Sequence, residues 1–339
     1  MTWILFVLSA AMIVIAGTKL SHYGDQIAEL TGLGRLWIGM VLIAVATSLP
    51  ELLTDISAAL LHAPNLAVGD LFGSNMANML ILGIIGLFPR FQPPVREQAA
   101  YEHILIATLA MVLTGLAGLF IVLKTDMSLW GVGIDSALIA IIYVLGMRVA
   151  YRQEDLRRRE RAREKIVEVT DEESKHASAR HQRLRHASVR FAVATLAIVV
   201  AAPVLAWSAK KIAEMTGIGA TFVGTSLLAV TTSLPEVVTS LAAVRLGAFD
   251  LAVGNLFGSN AFNMFVLFFT DIAYRPGSLL SAVSGTHTVT AFFSILLMAI
   301  GLMGIIYRAE KRFFLIKPDS LLIIIGYSLG MWVLFRMSQ

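Results

Sequence analysis

Two short segments of this chain place a proline between hydroxyls and a carboxylate inside an otherwise oily run. ATSLPE (46–51) supplies Thr47, Ser48 and Glu51, and TTSLPE (231–236) supplies Thr232, Ser233 and Glu236. Each is followed by GSN-x-x-N, which adds Ser74, Asn75 and Asn78 in the first case and Ser259, Asn260 and Asn263 in the second. All of these side chains offer oxygen, and no His or Cys belongs to the repeated set. Carboxylate, amide, hydroxyl and carbonyl oxygens suit hard cations such as Ca²⁺, Mg²⁺ and Na⁺, whereas zinc and copper favour nitrogen and sulfur. Two carboxylates would neutralise one Ca²⁺ in a cavity offering the roughly six to eight oxygens that calcium takes. Mg²⁺ fits less well, because it dehydrates reluctantly and demands a strict octahedron. Several Na⁺ ions could use the same oxygens in turn, and competition for one site is the simplest basis for exchange.

The prolines bear on the backbone. Pro50 and Pro235 lack an N–H and crowd the carbonyls one turn back, at Ala46 and Thr231, so each helix is expected to kink and release backbone oxygens. Free carbonyls are costly against lipid and tolerable where they line a polar cavity.

The elements that carry these residues are membrane spans. Of 339 residues, 57% are hydrophobic and 15% charged, with a mean hydropathy of +0.76, far from the balance of a soluble domain. Stretches long enough to cross a core of about 30 Å are expected at about 3–18, 36–61, 66–88, 101–123, 128–150, 190–207, 220–246, 251–270, 287–307 and 319–336. That makes ten. The first run has no basic residue before Lys19, so it lacks the positive n-region of a cleaved signal and reads as a retained span. With no cysteine, a disulfide framework and a thiolate metal site are both excluded.

The formal charge of +4 does not point to nucleic acid. The surplus arginine sits mainly in 152–165 and 180–190, mixed with Glu154, Asp155, Glu160 and Glu164, as in a solvated, partly helical connector. Lys and Arg mark cytoplasmic loops, so this connector should be inside. The loops at 90–96 and 308–317 then also fall inside and both termini outside. Lys210 and Lys211 fall on the opposite side, beside Glu214.

The chain repeats itself. A shift of 185 aligns residues 39–80 with 224–265 without a gap, identical at 24 of 42 positions, and IAELTGLG (27–34) faces IAEMTGIG (212–219). Five spans per half is an odd number, so the halves enter the membrane from opposite sides. In such inverted repeats the substrate site lies near the midplane, where discontinuous helices meet. The expected fold class is therefore an all-α integral membrane protein of ten transmembrane helices in two inverted-topology five-helix repeats. The first repeat takes 1–150, a charged cytoplasmic connector 151–189 and the second repeat 190–339. Gly69, Gly73, Gly254 and Gly258 recur as G-x-x-x-G, which lets helices approach closely and which packing alone would explain.

ATSLPE and TTSLPE, each followed by GSN-x-x-N, resemble the two alpha-repeats of the cation/calcium exchanger superfamily, in particular its sodium/calcium exchanger branch and prokaryotic relatives. The resemblance covers nearly the whole chain and implies a sodium/calcium exchanger-like fold in a cell (inner or plasma) membrane. By that likeness Glu51, Glu236, Thr47, Thr232, Ser48, Ser233, Ser74, Ser259, Asn78 and Asn263 match the positions that coordinate Ca²⁺ or Na⁺. The backbone carbonyls of Ala44 and Ala229 assist. It also implies electrogenic antiport of Ca²⁺ against Na⁺, with alternating access by movement of the first and sixth spans. Ca²⁺ and Na⁺ would be transported ions, with no cofactor, no obligatory protein partner and the lipid bilayer as surroundings.

Departures from the family pattern qualify this. Family members usually carry Gly where Ala46 and Thr231 stand. Some prokaryotic and potassium-dependent relatives carry Asp where this chain has Asn263, which argues against potassium dependence and leaves two carboxylates in the central cage. Asp55 and Asp70 occur only in the first repeat, opposite Ser240 and Asn255. They are read as wetting an outer vestibule, the sharper alternative being an extra cation site or a proton relay. His103 and His287 begin corresponding spans and are read as satisfied interfacial histidines. The connector is too short for calcium-binding regulatory domains.

Three other activities compete. H⁺/Ca²⁺ exchange would use the same glutamates to trade protons for metal, although the TSLPE form favours sodium. A membrane-embedded hydrolase would need H-E-x-x-H or a G-x-S-x-G elbow, and neither occurs. A channel is disfavoured by inverted repeats around broken helices.

Overall fold

A computed structural model describes residues 1–31, 44–87, 97–164, 177–245, 249–307 and 318–338. The expected inside loops at 90–96 and 308–317, the start of the second expected span at 36–43 and the middle of the connector at 165–176 lie outside the described residues. So do small parts of the two repeated segments, 39–43 and 246–248.

The chain runs as α1 Thr2–Thr31, α2 Ala44–Thr47, α3 Leu49–Leu60, α4 Pro64–Gly86 and α5 Glu97–Leu123. A two-stranded hairpin, β1 Ser128–Leu129 and β2 Val132–Gly133, precedes α6 Ile134–Glu164 and α7 Ala177–Thr216. Next come α8 Ala220–Val223, a π-helical turn Gly224–Leu228, α9 Ala229–Thr232, α10 Leu234–Arg245 and α11 Phe249–Ala273. The short α12 Leu279–Ala282 and the long α13 Thr286–Tyr307 and α14 Pro318–Met337 close the order. Among the described residues eight helices are long and apolar enough to cross a membrane, and nine if the pair around Ser233, bent by 43°, counts as one span. Ten is therefore not reached on these residues, because the remaining expected span is represented only by α2 and α3.

Three expected boundaries move. The first span is one 30-residue helix to Thr31, and the sixth lies within a 40-residue helix with Pro203 inside it. At 1.5 Å per residue the latter is about 60 Å long, twice the thickness of a hydrocarbon core. The two helices sustain this length by packing on one another, Ile13 and Leu20 of α1 and Ala201, Ala202, Ala206 and Ala209 of α7 all being buried. The fifth span starts at Ile134 rather than 128. Trp130 and Gly131 both have positive φ, +54° and +80°, and form the two-residue turn of a hairpin. Trp130 stands almost wholly exposed at its tip.

Burial sorts the helices. The most apolar window of α4 is 89% buried and that of α11 78%, against 22% for α6 and α14. These two central helices carry the GSN-x-x-N motifs. They pack against each other, α11 also against α5 and α4 also against α13 and α14, around Phe72, Met76, Met79, Phe257 and Leu113. The broken segments α2–α3 and α9–α10 close over this core, and α1 crosses both breaks: a Cβ added at Gly17 would stand 2.5 Å from Pro235 Cγ and 3.5 Å from Pro50 Cγ.

Lys210 and Lys211 find local partners. Lys210 Nζ donates to the Leu61 carbonyl at 2.7 Å, beyond the end of α3, and Lys211 pairs with Glu214 at 2.7 Å.

Candidate cation site

Each proline lies at the second position of the helix after a break, where its missing N–H falls among the donors that a helix start leaves unbonded. The break is one residue, Ser48 in the first repeat and Ser233 in the second. The amide of Ser48 bonds the Ala44 carbonyl and that of Ser233 the Ala229 carbonyl, both at 3.0 Å. The carbonyls of Ala44 and Ala229 thus already take a backbone donor. Thr47 Oγ1 also donates to Ala44 O at 3.1 Å and Thr232 Oγ1 lies 3.3 Å from Ala229 O. They are not the oxygens that the prolines release, and each already faces a backbone amide and a threonine hydroxyl, the latter of which a further ligand would have to displace.

The carboxylates are held across the repeats. Ser48 Oγ donates to Glu236 Oε1 at 3.3 Å, and Ser233 Oγ donates to Glu51 Oε1 at 3.2 Å. Each glutamate is therefore bonded by the serine of the opposite half. The same exchange recurs one layer away, where Asn78 Nδ2 donates to Asn260 Oδ1 at 2.9 Å and Asn263 Nδ2 to Asn75 Oδ1 at 3.1 Å. Thr47 Oγ1 lies 3.3 Å from Ser259 Oγ. The twelve residues singled out from the sequence lie on four segments that meet here, and all ten of their polar side chains are buried.

What these contacts leave open is oxygen. Glu51 Oε2, Glu236 Oε2, Ser74 Oγ, Asn78 Oδ1 and Asn263 Oδ1 are buried with no hydrogen-bond partner. An unmet buried carboxylate oxygen is expensive, and among the described residues no Lys or Arg pairs with either glutamate. A cation bound between the two glutamates would balance their charges.

Two side chains carry more than the sequence reading gave them. Asp55 and Asp70 do not wet a vestibule: both are fully buried. Asp70 Oδ1 accepts from Thr232 Oγ1 at 3.0 Å, and the carboxyl of Asp55 lies next to it. The signal was available, because Asp70 lies one turn before Ser74 on the same helix face. Asn75 and Asn260 likewise serve as the crossing partners of the expected ligands Asn263 and Asn78.

The histidines lie away from this centre. His287 is buried with Nε2 at 3.2 Å from Asn65 Oδ1 and 3.3 Å from Thr221 Oγ1. His103, also buried, places Nε2 3.5 Å from Asp250 Oδ1. Asp250 occupies the repeat position of Asn65, so each histidine addresses the start of the other repeat's central helix.

The sequence model of the family described as Sodium/calcium exchanger protein matches residues 1–149 and 186–336. Inner membrane protein YrbG of Escherichia coli is 28% identical over 277 residues, covering 81% of this chain and 80% of that one. Sodium/calcium exchanger MaX1 of Methanosarcina acetivorans is 35% identical over 117 residues, 34% of this chain and 33% of its own. A solved structure of the sodium-calcium exchanger NCX_Mj superposes with a TM-score of 0.63 over 98% of this chain and 97% of that one, at 20% identity, a likeness of fold. Since the family match spans both repeats and omits only the connector and the chain end, the chain belongs to the sodium/calcium exchanger protein family, as a multi-pass membrane cation antiporter and not an enzyme.

Proposed function

We propose that the chain exchanges Ca²⁺ for Na⁺ at the site between the two broken helices, with Glu51 and Glu236 as its charged ligands. Thr47, Thr232, Ser48, Ser233, Ser74, Ser259, Asn78 and Asn263 complete the oxygen set, and the carbonyls of Ala44 and Ala229 assist. The observation that carries this reading is the reciprocal bonding of Ser48 to Glu236 and Ser233 to Glu51, which leaves one free oxygen on each glutamate. A doubly charged ion balances both carboxylates at once, and Na⁺, nearly the same size with half the charge, competes for the same oxygens. Access alternates as α1 and α7 move across the core formed by α4 and α11. The contact of Gly17 with both prolines supports that route, since it couples α1 to both breaks. In this reading 1–150 and 190–339 are the two repeats, and the 151–189 connector is cytoplasmic with both termini outside.

The test is ⁴⁵Ca²⁺ uptake into proteoliposomes under an imposed Na⁺ gradient and, separately, an imposed pH gradient. Uptake driven by Na⁺ is expected, and it is lost in Glu51→Gln and in Glu236→Gln. Near-normal flux in either variant overturns the site, and uptake driven only by the pH gradient replaces Na⁺ with H⁺ as the coupling ion.

A further inference from the structure

The two halves of the site share their main cross-repeat contacts. Serine to glutamate and asparagine to asparagine both occur twice, once in each direction. The threonines differ. Thr47 meets Ser259 of the other repeat, so by the pseudo-two-fold Thr232 should meet Ser74. It donates instead to Asp70 Oδ1 at 3.0 Å, and Ser74 Oγ is left buried and without a partner. The repeat position of Asp70 is Asn255, whose side-chain oxygen and nitrogen are both buried and unbonded. Asp70 is therefore a place where this chain breaks the symmetry of its own site. The break has two consequences at one place: a third carboxylate, whose Oδ2 also lacks a partner, and a serine oxygen released from hydrogen bonding.

A buried carboxylate without a cationic partner is costly, and among the described residues no Lys or Arg faces Asp70. Through Thr232, the neighbour of Ser233 in the second break, its carboxyl is joined to the site that holds Glu51 and Glu236. The transported ion is the available counter-charge.

We propose that Asp70 is a specificity-determining residue of the exchanger, orienting Thr232 and adding negative charge to the Thr232–Ser74 side of the site so that divalent cations are favoured over monovalent ones. This rests on the central site proposed above. The interaction of Asp70 with an ion scales with the charge of the ion, so its removal weakens Ca²⁺ twice as much as Na⁺ in free energy. If Na⁺ half-saturation rises by a factor f, that of Ca²⁺ rises by f squared.

Asp70→Asn is the variant of choice, because its amide oxygen can still accept from Thr232 while the charge is gone. In proteoliposomes the half-saturating Ca²⁺ is expected to rise about tenfold or more, the half-saturating Na⁺ by about the square root of that factor, and the maximal rate to change less than either. The second variant, Asp70→Asn with Asn255→Asp, restores a carboxylate at the mirror position and is expected to recover Ca²⁺ preference. Equal weakening of both ions, or a lower maximal rate with unchanged half-saturation, assigns Asp70 a purely structural role and overturns the proposal. Unchanged behaviour of Asp70→Asn does the same. If Glu51→Gln and Glu236→Gln abolish flux while Asp70→Asn is silent, this proposal fails alone; if the glutamate variants transport normally, the central site has failed.

Discussion

Replacing Gly73 by alanine tests how tightly the site depends on one helix crossing. A Cβ at residue 73 would stand 2.6 Å from both Cα and O of Thr225 and 2.7 Å from Cβ of Ala229. Non-bonded carbons prefer about 3.5–4.0 Å, so α4 and the π turn must part by about 1 Å, and the obstructing atoms are mostly backbone. Overpacking of this kind costs about 1–3 kcal/mol, offset by at most about 1 kcal/mol from the better helix propensity of alanine. A net loss of about 1–2 kcal/mol is expected. The functional effect should be larger than the stability effect. Ala229 and Thr232 follow the π turn directly, and Ca²⁺–oxygen contacts tolerate only about 2.3–2.6 Å, so a 1 Å opening removes ligands from the ion. Thermal unfolding of the purified protein with and without Ca²⁺, paired with ⁴⁵Ca²⁺ uptake, reads both. Gly115→Ala is the control, since its Cβ would meet only Ile295 Cδ1 at 3.7 Å. If Gly73→Ala melts, transports and responds to Ca²⁺ as Gly115→Ala does, the crossing does not set the site.

Three other perturbations follow from the contacts. Ser48→Ala and Ser233→Ala each remove one donor from a carboxylate, worth about 1.5–3 kcal/mol, and should raise half-saturating Ca²⁺ to a similar extent; a tenfold disparity between them in uptake assays contradicts reciprocal bonding. Asn260→Ala strands Asn78 Nδ2 without its acceptor and should lower stability by about 1–3 kcal/mol, as Asn75→Ala should through Asn263, both read by thermal unfolding. The absence of native cysteine makes topology directly measurable. Trp130→Cys at the hairpin tip should react with an impermeant maleimide on intact cells, and Arg183→Cys only after permeabilisation; labelling of both from the same side refutes the assigned orientation.

The chemistry of the site was legible because it rests on residue type. Oxygen-only side chains around two prolines, written twice, point to the hard-cation site proposed above, and the 185-residue shift pairs Ser48 with Ser233 and Asn78 with Asn263, which make matching contacts across the repeats. Helix length was less legible. Hydropathy marks where a chain enters lipid, and α7 continues past that point on Arg-, Ala- and Gln-containing turns that are good helix formers and that pack on α1. The hairpin at 128–133 was hidden because Leu129, Trp130 and Val132 are apolar, although only the Trp-Gly turn, with both φ values positive, determines their conformation. Asp55 and Asp70 read from the sequence as wetting an outer vestibule, whereas both are buried. Spacing along a helix reports the face a residue shares, not how deeply that face is buried.

The differences between the repeats carry information that their likeness cannot. A site built from two identical halves would bond an ion equally when open to either side, and the paired contacts Ser48–Glu236 with Ser233–Glu51, and Asn78–Asn260 with Asn263–Asn75, have that character. Inverted repeats can thus exchange roles at little cost, as alternating access requires. Ion choice needs no such symmetry. In the proposed cycle a charge placed in one half remains next to the ion in both orientations, provided it sits on the central helices and not on the pair proposed to move. Asp70 on α4 meets that condition, whereas an acid on α1 or α7 would not.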